Sequence, residues 1–228
     1  MREKLLYGLG TVAALLLVRN LWVILLVLPD EAAQGAVYRI MFYHVPSWFT
    51  CFSAFLVAGT GSVLYLVKKD ARYDAAAVAS TEVGVAFTII GLVTGMIWAR
   101  PVWGVWWVWD PRLTWALITC LVYAGYLMLR RAIDDPGERG KNTAVLSIFA
   151  FTSVVITYKA IDWWRTQHPG PVISIRTGGG NMDPAMERML YLNWLPMLML
   201  AFVMIAVRLR QEMVGRELDA IRRYAHAL

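Results

Sequence analysis

Polar and apolar positions along this chain alternate in long blocks rather than at helical or strand period. Six apolar runs stand between short charged segments: Leu5 to Leu28, Val45 to Val67, Val83 to Ala99, Leu113 to Leu129, Asn142 to Tyr158 and Met189 to Val207. A helix rises about 1.5 Å per residue and the hydrocarbon core of a bilayer is about 30 Å thick, so each run is long enough to span it. The pattern predicts an all-α integral membrane protein with six transmembrane helices. The first run is longer than the apolar core of a signal peptide and no clear small-x-small site follows it, so a retained helix is expected. Arg19 and Asn20 interrupt that run and call for either a helix partner or, for Arg19, snorkelling.

Composition agrees with the pattern: 59% of the 228 residues are hydrophobic and 17% are charged, against about 25% charged in soluble domains. Lysine and arginine fix the expected orientation. With the N-terminus inside, the inner segments carry fourteen of them and the outer segments seven. Both termini are therefore expected in the cytoplasm, and the net charge of +6 needs no nucleic-acid partner, because the inner flanks face anionic head groups. Residues 208–228 read as a basic helix on the membrane surface. Cys51 and Cys120 fall inside predicted helices, where cysteine acts as a small hydrophobe. No CxxC or CxxCH motif occurs. There is no ATP-binding loop, no internal repeat and no separate soluble domain, so residues 1–228 read as one membrane domain.

The unusual chemistry lies on the outer side. Trp98, Trp103, Trp106, Trp107, Trp109 and Trp115 are six of eleven tryptophans within eighteen positions, followed closely by Asp110 and Arg112. An interfacial aromatic belt accounts for one or two tryptophans per helix end, not for six beside a charged pair. In a helical segment Trp103, Trp106 and Trp107 share one face, with Trp109 and Asp110 turned partly away; in a loop they could pave one floor. Either way they make a flat apolar platform with a polar edge, suited to a large planar molecule with an anionic end. His44 sits just before Pro46, where the second helix is expected to start, and His168 lies in the outer loop 159–188. His226, in the tail, reads as solvated. Two imidazoles on one side could ligate haem iron from opposite faces, with Arg112, Arg165 and Arg100 as candidate partners for the propionates. Ligands at the outer ends of helices suit loading and handing on better than permanent retention. No helix shows an obvious polar pathway. Gly178 to Gly180 predict a mobile stretch in the long loop.

The stretch "WGVWWVWDPRLT" at 103–114 resembles the tryptophan-rich WWD signature of haem-handling membrane proteins. Within that group the chain is similar to the CcmC family, haem exporter protein C of cytochrome c maturation, over most of its length. "YRIMFYHVP" and "DWWRTQHPG" resemble the segments bearing that family's two external histidines, "FTIIGLVTGMIWARPVWG" the third helix leading into the motif, and "MDPAM" the end of the long loop. The glycine run at 178–180 is less typical of that family, and Pro111 lies at a variable position of the motif. The resemblance implies a protein of the bacterial inner membrane, not an enzyme, that binds haem b as cargo on the periplasmic face. It would pass haem to the chaperone CcmE, with the small subunit CcmD and the ABC transporter CcmAB as further partners. By the same resemblance His44 and His168 are the axial ligands. Trp103, Trp106, Trp107, Trp109, Asp110 and Arg112, within the external segment 99–112, form the platform and docking surface. The alternative is a bis-histidine haem oxidoreductase passing electrons from quinol.

Overall fold

The computed structural model describes residues 2–170 and 182–226. Six α-helices account for nearly all of them: α1 (Arg2–Leu26), α2 (Met41–Lys68), α3 (Ala71–Trp103), α4 (Pro111–Ala132), α5 (Pro136–Trp163) and α6 (Pro184–His226), with a short 3-10 turn at Ala36–Ile40 before α2. All six are long and apolar enough to cross a membrane, and no β-strand occurs among the described residues. Large apolar side chains such as Leu15, Trp22, Leu56, Leu121 and Phe149 lie exposed on the outside, as expected of a bundle solvated by lipid tails. The predicted helix count holds. Except at the end of α1, which stops at Leu26 short of Leu28, the bounds run wider than the apolar runs, because alanine-rich and charged turns such as 71–82 continue the helices beyond them.

Helix α2 occupies the middle, packed against α3, α5 and α6, while α4 pairs with α5 and α1 with α6. At mid-depth Phe55 stacks on Tyr123, with ring centroids 3.7 Å apart and planes within 6°, inside a cluster that includes Cys51, Val83, Phe87, Val154 and Met197. Both cysteines are buried and free. The interior is not uniformly apolar: Thr119 of α4 bonds to both Ser153 and Thr157 of α5 at 3.0 Å. Single Ser and Thr residues do not break an apolar run, which is why the sequence reads as lacking polar interior positions.

Three helices begin on the same device. Asp110–Pro111, Asp135–Pro136 and Asp183–Pro184 each place an aspartate before a proline in the first turn, a position where the missing N–H costs nothing. The carboxylates accept from Arg112 N at 2.9 Å, Glu138 N at 2.7 Å and Ala185 N at 2.8 Å. At the other end of α3, Gly104 (φ 77°) caps the helix in the left-handed region and donates to the Arg100 carbonyl, a role that glycine fills without strain.

The chain alternates between two ends of the bundle. One end gathers the α1–α2, α3–α4 and α5–α6 junctions, with His44, Arg112 and His168. The opposite end gathers the α2–α3 and α4–α5 junctions and the continuation of α6. There Arg130 forms a fork with Asp74 (2.7 and 3.0 Å), and Arg216 bonds to Asp74 (2.6 Å) and Glu212 (2.8 Å). Residues 208–226 do not form a separate surface helix. They prolong α6 without a break to 43 residues, about 65 Å of helix. Arg208 pairs with Glu82 in α3 at 2.5 Å. The expectations for Gly178 to Gly180 and for the His226 side chain lie outside what the structure describes.

Candidate functional site

The site starts with two glycines. Gly91 and Gly95 lie one turn apart on α3. A Cβ added at Gly91 would come within 2.8 Å of Trp48, and one at Gly95 within 2.9 Å of His44 Cε1. Small residues four apart let neighbouring side chains press onto a helix backbone, and here the seated side chains are an indole and an imidazole. His44 lies inside α2 rather than before it. Helix α2 begins at Met41, and Pro46 falls in its second turn. The His44 ring is 8% exposed and stands edge-on to Trp48 and Trp98, with centroids at 6.3 and 5.8 Å. Trp98 is held in turn by its indole N–H donating to Gln34 Oε1 at 2.7 Å.

The second imidazole comes from the loop after α5. His168 lies 6.5 Å from His44, centroid to centroid, with the ring planes inclined by 30°. Asp110 fixes this loop. Besides capping α4, its buried carboxylate accepts from Thr166 Oγ1 at 2.7 Å and from Gln167 N at 2.8 Å. Thr166 Oγ1 then accepts from His168 N at 3.0 Å. Asp110 thus acts as a latch between α4 and the histidine loop, and it is absent from the cavity lining.

The hydrogen bonds decide which ring nitrogens are free. His168 Nδ1 lies 2.8 Å from the Pro169 carbonyl, which can only accept, so Nδ1 carries the proton. His44 Nδ1 lies 3.2 Å from Thr94 Oγ1. That hydroxyl gives its own proton to the Ile90 carbonyl at 2.7 Å and therefore accepts from the imidazole. Both histidines are placed in the tautomer whose Nε2 lone pair is available, with Nδ1–H anchored as in metal-ligating histidines. Burial first, and the nearby Arg112 guanidinium second, push the His168 pKa down to about 4, so its lone pair is free at neutral pH.

Two imidazoles bound to one metal from opposite sides, at about 2 Å each, place their centroids roughly 6 Å apart. The observed spacing fits. Among the described residues no group of three or more His, Cys, Asp or Glu could hold a metal ion. The walls suit a planar macrocycle. Trp48, Trp98, Trp103, Trp106 and Trp107 line the cavity with His44, His168 and Arg112. Within it, Arg112 Nη1 and Trp107 Nε1 are buried donors without a hydrogen-bond partner among the described residues. Unpaired buried donors are costly, so the pair marks where an acceptor belongs. The cavity, open on one side, has a volume of about 110 Å³, below the ~300–1,000 Å³ that hold a small molecule whole. A macrocycle would keep part of its surface outside.

The structure brings His44, His168, Trp103, Trp106, Trp107 and Arg112 together. Trp109 is 77% exposed, packs edge-on to Trp107 and lies outside the lining, as do Arg100 and Arg165. Residues 104–110 are not helical. Sequence reasoning missed Thr94, Gly91, Gly95 and Thr166. The spacing "GLVTG" at 91–95 was the available signal for the first three; nothing local marks Thr166.

A family model described as heme exporter protein C matches residues 1–224. Proteins called heme exporter protein C are similar to this chain in several bacteria. The one from Bradyrhizobium diazoefficiens is 36% identical over 200 residues, covering 88% of this chain and 73% of that protein. The one from Paracoccus denitrificans is 33% identical over 194 residues, covering 85% and 80%. The one from Escherichia coli K12 is 31% identical over 182 residues, covering 80% and 73%.

Proposed function

This chain belongs to the heme exporter protein C family, and from that premise we propose that it holds haem between His44 and His168 and hands it to the chaperone CcmE during cytochrome c maturation. The observation that carries this reading is the pair of neighbouring imidazoles, centroids 6.5 Å apart, both with Nδ1 anchored by a protein partner. Haem b is the proposed cargo, with His44 and His168 as the residues that would hold its iron. Trp103, Trp106 and Trp107 would cover the porphyrin, and Arg112 and the Trp107 indole N–H would take a propionate. Asp110 contributes by holding the His168 loop rather than by contact with the cargo.

Delivery needs ligands that can let go. His168 sits on a loop held to α4 by the bonds at Asp110, not on a helix, so it is the ligand suited to release. Trp109, exposed beside the site, is suited to meet the chaperone, while CcmD and CcmAB would act around the bundle. The lysine and arginine bias supports a reading in which this end lies at the periplasmic face of the inner membrane, with both termini in the cytoplasm. The protein is read as a handling component without turnover chemistry.

The test is transfer. Purified protein loaded with haem is mixed with apo CcmE, and haem is followed by its Soret band and by covalent attachment to the chaperone. Haem leaving for CcmE is the expected result. Haem that stays bound and cycles with a quinol would establish the electron-carrier alternative instead.

A further inference from the structure

Pro46 leaves a backbone group without its helical partner. A proline in a helix cannot donate to the carbonyl four residues back, and its ring crowds that oxygen. In α2 that oxygen belongs to Phe42, which is 1% exposed, so water does not satisfy it. Asn193 of α6, 0% exposed, does: its Nδ2 donates to the Phe42 carbonyl at 2.7 Å. The same arrangement recurs at Pro196, where the Leu192 carbonyl accepts from Asn20 Nδ2 at 2.8 Å. Asn20 Nδ2 also reaches Asn193 Oδ1 at 3.3 Å, and Arg19 donates to Asn20 Oδ1 at 3.1 Å. Because the carbonyls only accept, both amide orientations are fixed. The bonds run in one direction, from Arg19 through Asn20 and Asn193 to α2, and they account for both polar residues in the first apolar run.

We infer that Asn193 is a positioning residue for His44, acting through the Phe42 carbonyl that Pro46 frees; the inference rests on the haem-ligand reading. His44 stands between Phe42 and Pro46, in the turn whose helical closure the proline removes. On the α3 side its ring is pressed against Gly95 and bonded to Thr94. On the α6 side Asn193 ties the same turn down. Helices kink where a proline or an inserted side chain opens the ladder, and metal ligation tolerates errors of only about 0.2 Å. Without Asn193 the buried Phe42 oxygen would have to shift toward another donor, moving the His44 ring relative to His168.

The experiment uses full-length protein loaded with haem. It compares wild type, His44→Ala, Asn193→Leu, Pro46→Ala and the Asn193→Leu/Pro46→Ala double variant. The readouts are the low-spin fraction, from the visible and electron paramagnetic resonance spectra, and the rate of haem loss to excess apo-globin. Low-spin wild type that His44→Ala converts to high spin upholds the ligand reading. Indifference to His44→Ala would sink that reading whatever Asn193 does. With the reading intact, Asn193→Leu is expected to lose haem roughly tenfold faster, the effect of one unpaired buried acceptor, with a partial shift to high spin. In the double variant the backbone N–H restored at position 46 supplies the missing donor, so loss should return to within about twofold of Pro46→Ala, below the tenfold that one such bond is worth. A wild-type rate and spectrum in Asn193→Leu, or no rescue by Pro46→Ala, would overturn the inference. Should Asn193→Leu not accumulate, Pro46→Ala is compared with the double variant: equal rates support the role, and a gap of about tenfold overturns it.

Discussion

Helix α4 carries an arginine near each end, and the two are treated in opposite ways. Arg130, in the last turn, is 7% exposed and spends its donors on both oxygens of Asp74, on Thr143 and on Glu212. The helix dipole favours a cation at that end. Arg112, in the first turn, faces the dipole from its unfavourable side, and its buried Nη1 has no hydrogen-bond partner among the described residues. The contrast separates charge used to hold the bundle together from charge held ready for something else. Groups kept against local electrostatics mark functional sites, and here that group opens into a cavity walled by tryptophan.

The largest expected break in this comparison comes from the saturated end. Asp74→Asn leaves Arg130 and Arg216 short of their shared carboxylate and is expected to cost about 3–5 kcal/mol, read as a lower melting temperature in detergent or nanodiscs. Arg112→Met, by contrast, removes a charge whose buried donor is unmatched, and should leave the melting temperature of the haem-free protein unchanged or higher. Its cost appears on loading: haem affinity should fall by roughly 10–100-fold, the worth of one charge-assisted bond, in an equilibrium titration. Equal stability losses in the two variants would erase the distinction between the ends.

Smaller effects sharpen it. Thr94→Val removes the acceptor of the His44 Nδ1 proton and should weaken haem binding about tenfold, as lost partners of metal-bound histidines do. The pH dependence follows from His168. Its pKa lies below the ordinary histidine value, at about 4, so the folded protein favours the neutral ring. Ligation should therefore persist from neutral pH down to about 5, an ordinary imidazole being half protonated near pH 6.5, and fail as pH falls through about 4. Stability has the same sign: the unfolded chain takes up this proton first, so stability falls between about pH 6.5 and the folded value. In Arg112→Met the pH of ligand loss should move upward, because one cause of the depression is gone. Trp109→Ala should change haem affinity by less than about twofold, the range of an exposed surface substitution, while slowing transfer to CcmE.

How much of this the sequence disclosed depended on whether the physics was local. Six spans were legible because apolar length is a property of consecutive residues. The helical spacing expected to group Trp103, Trp106 and Trp107 apart from Trp109 does not apply, because residues 104–110 are not helical, and Trp106 and Trp107 line the cavity from the loop instead. His44 was expected ahead of the helix because Pro46 read as a first-turn proline. The helix in fact starts five residues earlier and satisfies the freed carbonyl with Asn193, 151 positions away. Asp110 read as a polar edge of the platform, and its capping role went unread although Asp-Pro pairs recur at 110–111, 135–136 and 183–184. Its grip on Thr166 and Gln167 was not legible, because a loop docking onto a helix start leaves no periodicity. Arg19 and Asn20 looked like an interruption, and the partner that explains Asn20 lies in the last helix.

The central claim is that His44 and His168 face each other across one iron. The most direct measurement is the electron paramagnetic resonance spectrum of the ferric haem-loaded protein beside His44→Ala and His168→Ala. The account predicts a low-spin signal of two imidazoles in wild type, replaced in each single variant by a high-spin signal with one imidazole. A low-spin signal that survives either substitution would contradict it.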